Sequence, residues 1–187
     1  MRLVFIGLIL SFLDVSWNLN GYILNLLPDF LGYWLIVEGL RRLAPQSGCF
    51  SKAMLPAHAM VVWSGFCFAH DLLGGPLKGG SIFETAKGLF GFGAAVLSVY
   101  ILYQIARGMM EIEMQLGSGE MRTGRLLAAW QYLAVAALLS AALGPFAPGA
   151  MLPSAACIVL LLAWLAANVC YLVFYHTAWK VYEGEPV

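Results

Sequence analysis

The sequence predicts an all-α integral membrane protein: a bundle of six transmembrane helices with both termini in the cytoplasm. Three observations predict it. Of 187 residues, 61% are hydrophobic and 11% charged, whereas soluble domains are about 45–50% apolar and about 25% charged. Mean hydropathy is +0.82. Breaker residues cut the chain into six apolar segments, and at about 20 residues per span six spans leave almost nothing else. Ten Lys and Arg balance ten Asp and Glu, so no excess charge points to nucleic acid. A single domain over residues 1–187 is expected.

Each segment has its own start and stop. The first helix is expected over 2–19, with an unbroken apolar stretch at 3–13 and Asn20-Gly21 as its stop, since Gly relieves the left-handed position at a helix end. A broken segment, 22–27, leads to Pro28-Asp29, where Asp caps free N–H groups behind a proline. The second helix, 29–43, is then only about 22 Å long. The third is expected over 51–73, stopped by Gly74-Gly75-Pro76. A fourth, 84–116, exceeds the bilayer, and its tail from Arg107 to Leu116 is amphipathic enough to run along the interface. The fifth spans 125–143 and the sixth 151–182. The glycines of Gly88-Leu-Phe-Gly-Phe-Gly93 read as close-packing positions.

Orientation follows from the cations. With the N-terminus inside, Arg2, Arg41, Arg42, Lys52, Arg107, Arg122, Arg125 and Lys180 face the cytoplasm, against Lys78 and Lys87 outside. That is the positive-inside pattern. Arg2 before an apolar run also suggests a signal peptide, but no A-x-A-like cleavage site follows it.

Two stretches carry a resemblance. One is Phe12-Leu-Asp-Val-Ser-Trp-Asn-Leu-Asn20 with Leu26-Leu-Pro-Asp-Phe-Leu-Gly-Tyr33 and Gly39-Leu40; the other is Gly108-Met-Met-Glu-Ile-Glu113. They resemble a group of uncharacterised small polytopic bacterial membrane proteins in which L-[LI]-P-D-F-[LI]-G-Y opens the second helix. The resemblance implies a bacterial cytoplasmic (inner) membrane address and no chemistry.

Polar residues in so apolar a chain each need a reason. Ser11, Asp14 and Asn18 recur at i, i+3 and i+7, on one face of the expected first helix. Asn20 and Asp29 lie in the adjoining outer connection, and His70-Asp71 ends the third helix on the same side. The candidate site is therefore Asp14, Asn18, Asn20, Asp29, His70 and Asp71, an outer cavity for a cation or a small polar solute. Carboxylates and amides suit hard cations, imidazole transition metals, and the spacing names no particular metal. The plain alternative makes these residues caps and solvated helix ends. On the sixth helix Cys157, Leu161, Trp164, Asn168, Tyr171 and Tyr175 share a stripe, with Asn168 expected to bond across to Tyr100, Tyr103 or Gln104. Glu38 is placed to pair with Arg41 or Arg42, and Arg107 with Glu111.

The function these readings favour is binding or transport of that solute. The alternative is a membrane assembly subunit without its own ligand, docking a membrane or cytoplasmic protein through 107–116, where methionines alternate with Glu111 and Glu113. An intramembrane enzyme is disfavoured: there is no G-x-S-x-G, no H-E-x-x-H and no C-x-x-C. No cofactor is expected, and the one partner the composition itself implies is the lipid bilayer. A bridge between Cys67 and Cys157 requires the third and sixth helices to be neighbours.

Overall fold

The computed structural model describes residues 1–12, 16–19, 22–25, 29–72, 80–117, 121–143 and 154–184, with the backbone path alone for the strands and for residues 70–72, 80–89, 140–143, 154–158 and 160–161. Among the described residues the chain forms six helices: α1 (Arg2–Phe12), α2 (Asp29–Leu43), α3 (Gly48–Leu72), α4 (Gly80–Leu116), α5 (Thr123–Leu143) and α6 (Ser154–Glu183). One short antiparallel ribbon, β1 (Ser16–Leu19) and β2 (Tyr22–Asn25), joins α1 to α2. The chain divides into two compact units, Met1–Lys87 and Gly88–Val187.

The ribbon corrects the expected first helix. α1 ends at Phe12, about 16 Å long at 1.5 Å per residue, and residues 16–19 are a strand. Leu19 pairs with Tyr22, so two residues, Asn20-Gly21, lie between the partners. Asn-Gly is the strongest two-residue hairpin signal because both positions tolerate positive φ. After an apolar run the same dipeptide also reads as a helix stop, and here the pairing of the flanking residues decides.

α2 occupies the predicted 29–43, opening on Asp29 and closing on Arg41 and Arg42, charges that match the helix dipole at each end. Other starts shift by a few residues because local caps decide them. α3 begins at Gly48 because the Ser47 hydroxyl accepts the Cys49 N–H at 3.1 Å and the Ser47 carbonyl accepts Phe50 N at 3.2 Å. The helix continues through Pro56, which removes one backbone bond within it.

In the first unit, α1 packs on α2 and α2 on α3. The α1–α2 contact is made by backbone. A Cβ added to Gly7 would lie 2.6 Å from the Gly32 carbonyl oxygen, and one on Gly39 2.8 Å from Val4 N. Val4, Leu8, Ile36 and Leu40 close the seam and are fully buried. The rings of Phe30 and Phe68 meet at a tilt of 56°, centroids 5.5 Å apart, where α2 begins and α3 ends.

In the second unit, Trp130 of α5 donates its indole N–H to the Val99 carbonyl of α4 at 2.8 Å, and the Tyr171 hydroxyl of α6 donates to Leu102 O at 2.8 Å. Of the predicted stripe on α6, Asn168, Tyr171 and Tyr175 are buried and Trp164 is half-buried. The partner differs. Asn168 donates to Trp164 O, one turn back on its own helix, and Tyr171 makes the bond between helices. Gly91 and Gly93, expected at a packing seam, have nothing within 4 Å of an added Cβ.

Large apolar side chains lie on both the inner and the outer faces. Inside, Phe50, Ile101, Ile105, Met109, Leu126, Tyr171 and Tyr175 pack with alanines such as Ala53, Ala57 and Ala178; outside are Leu55 (80% exposed), Val62, Phe66, Tyr132 (74%), Val135, Val159 (64%), Leu165 and Val169. Helical polar groups bond back to their own helix, Ser11 to Gly7 O, Ser64 to Met60 O, Ser98 to Ala94 O and Thr177 to Val173 O. Among the described residues one segment, Phe90–Leu116, is long and apolar enough to cross a membrane; Arg2–Phe12 and Thr123–Leu139 are apolar but shorter.

Candidate functional site

The candidate residues come from the end of the first unit where the ribbon joins α1 to α2. Asp14 and Asn20 lie outside the described residues. Asn18 holds a register position in β1 opposite Ile23. Asp29 opens α2 and is half-buried. His70 and Asp71 lie in the last turn of α3. The Phe30–Phe68 contact brings the start of α2 beside the end of α3, within about one turn of residues 70 and 71. β2 also packs against α3. Four of the six candidates, at positions 18, 29, 70 and 71, thus belong by backbone to one end of the unit.

The opposite end carries the opposite charge. Gly39 sits against Val4, so Arg2 on α1 is level with Arg41 on α2, two residues beyond that contact on each helix. The tight turn at 44–47, with Ala44 N bonded to Leu40 O and Gln46 N to Leu43 O, brings Lys52 of α3 to the same end. Glu38 pairs with Arg42 at 3.1 Å, as predicted. Two charge-separated ends across one three-helix unit follow from antiparallel packing of neighbours, which the glycine seam enforces.

Sequence reasoning missed the role of Glu113. Its carboxylate reaches across the α4–α5 connection, accepts the Arg122 N–H at 2.8 Å and the Thr123 N–H at 3.1 Å, and also accepts the Thr123 hydroxyl. It therefore caps α5 from another helix and holds Arg122 at φ +50°. The available signal was Thr123 itself, a favoured N-cap type ahead of an apolar run. Met109 and Ile112, expected on a docking face, are buried, while Met114 and Leu116 are exposed. Arg107 lies over the Tyr103 ring, 6.0 Å from its centroid.

Both familiar stretches thereby acquire structural jobs. In the first, Asp29 starts α2 while Gly32 and Gly39 let α1 touch it; in the second, Glu113 caps α5. Among the described residues no three His, Cys, Asp or Glu side chains gather to hold a metal. No protein-family model matches the chain, and no curated protein and no solved structure matches it.

Proposed function

We propose that the chain is a multi-pass protein of the bacterial cytoplasmic membrane, N- and C-termini inside, whose outer end binds a cation or a small polar solute. The observation that carries the membrane part is the apolar outer surface. Water would favour polar groups there. Leu55, Val62, Phe66, Tyr132, Val135 and Val159 face outward instead, and in the first unit Gly7, Gly32 and Gly39 let two helix backbones touch. That is the arrangement expected when the solvent is hydrocarbon and helices associate through close backbone packing. Polar side chains bonded to their own helix fit the same solvent. On this proposal six helices cross, and α1 and α2 reach across only together with the ribbon between them.

The binding part rests on position. Asp29 and residues 70 and 71 converge by backbone at one end, with the ribbon carrying Asn18 packed on α3. Convergent carboxylates repel, and a bound cation relieves that repulsion. A ligand that binds only the folded state stabilises it by mass action.

Two measurements test the reading. Alkaline carbonate should leave the chain in the membrane pellet; release into the supernatant would end the membrane reading. The melting temperature of the purified protein should rise with divalent cations or small amines, and Asp14→Asn or Asp29→Asn should blunt that rise. If no cation or amine shifts the melting temperature, the assembly-subunit reading takes over, with the exposed Met114 and Leu116 as its docking end.

A further inference from the structure

We infer that the outward ridge of α3 headed by Lys52 is a binding track for an anionic phospholipid, its headgroup held by Lys52 and Arg41. The inference rests on the membrane reading above. Three observations carry it.

The first is a charge excess at one end. Arg2, Arg41, Arg42 and Lys52 gather there by backbone packing, and Glu38 is the acid at that end among the described residues. Glu38 is engaged with Arg42. Arg41 and Lys52 are both exposed.

The second is where Lys52 sits. Arg41 and Arg42 close α2, where cations offset the negative end of the dipole. Lys52, by contrast, is the fifth residue of α3, whose first turn has no acidic residue. Neither the helix dipole, which fades within the first turn, nor an acid in that turn accounts for a cation there. The anion of a headgroup would answer its charge.

The third is the surface beneath. Lys52, Leu55, Ala59, Val62 and Phe66 are all exposed and follow at steps of three, four, three and four, one continuous face of α3. Arg2 and Ile6 repeat the pairing of an exposed cation with an exposed aliphatic one turn away on α1. A cation at the top of a long apolar ridge matches a phosphodiester headgroup above an acyl chain. A soluble anion would use only the top of it.

The test uses the full chain in mixed micelles of phosphatidylglycerol and phosphatidylcholine, with retained lipid quantified by native mass spectrometry. Wild type should retain phosphatidylglycerol preferentially. Arg41→Gln and Lys52→Gln should each cut that preference about fivefold, the factor for one cation near a lipid surface. Lys52→Arg should keep the preference, and so should Arg125→Gln, which removes an exposed cation from the other unit. Millimolar inorganic phosphate should leave the lipid bound. An unchanged preference in both Gln variants, an equal loss in Arg125→Gln, or displacement by phosphate alone would overturn the assignment. Should Lys52→Gln not fold, Arg41→Gln decides. Failure of the membrane reading shows separately, as release of the chain by carbonate.

Discussion

Single residues set how closely the first two helices approach. At Gly39 an added Cβ would meet Val4 Cγ2 at 2.5 Å and Val4 N at 2.8 Å; the methyl can turn away, the backbone cannot. Gly39→Leu should therefore destabilise the protein by about 1–3 kcal/mol through overpacking, with Val4→Ala restoring only part of the loss. Gly91 is the control. Nothing lies within 4 Å of it, so Gly91→Ala should stabilise by about 0.5–1 kcal/mol through helix propensity. Chemical denaturation in micelles measures both, and a destabilising Gly91→Ala would mean that its face is covered by something the chain alone does not supply. The glycines that matter lie in the first two helices, away from the Gly88–Gly93 cluster. Composition cannot tell a glycine at a seam from one facing outward, because the distinction is which neighbour stands opposite.

Elements are held by groups that act across connections. Glu113 ends α4 and caps α5, so Glu113→Ala leaves two backbone donors without their acceptor and should cost about 1–2 kcal/mol. Glu113→Gln keeps one carboxamide oxygen and should retain part of that. Thermal unfolding of both variants against wild type checks the order, and equal losses would show that the charge rather than the capping geometry matters. In α6, Tyr171→Phe removes the bond to Leu102 O. That carbonyl lies in a helix interior with its own backbone donor, so the loss should be about 1 kcal/mol. The stripe containing Tyr171 was legible as a 3-and-4 repeat. Its bonding was not, because Asn168 is satisfied within its own helix and only the neighbouring helix shows which side chain reaches across. The ribbon was legible too, in Asn20-Gly21 between strand-forming residues, but the apolar run before it reads equally well as helix.

At the scale of the whole molecule the proposed membrane topology turns on which side each end faces. Cysteine introduced at Lys78 should label from outside, and cysteine at Lys52 from inside. Cys49, a natural inside candidate, is buried, so labelling there would report packing rather than topology. Labelling of Lys52→Cys from outside would reverse the assignment and move the cation-rich end of the first unit to the exterior.

The sequence by itself determined the six helices as segments, the limits of α2 and the Glu38–Arg42 pair, since each depends on composition or on neighbours within one turn. The inward face of α6 was readable from spacing for the same reason: helical periodicity converts order along the chain into position around it. Tertiary structure decided the rest. It showed that Gly7, Gly32 and Gly39 bring two backbones into contact, that Glu113 caps a helix nine residues away, and which apolar side chains pack inside and which, such as Leu55, Tyr132 and Val159, face out. These are relations between residues distant in the chain, and no local pattern encodes the partner.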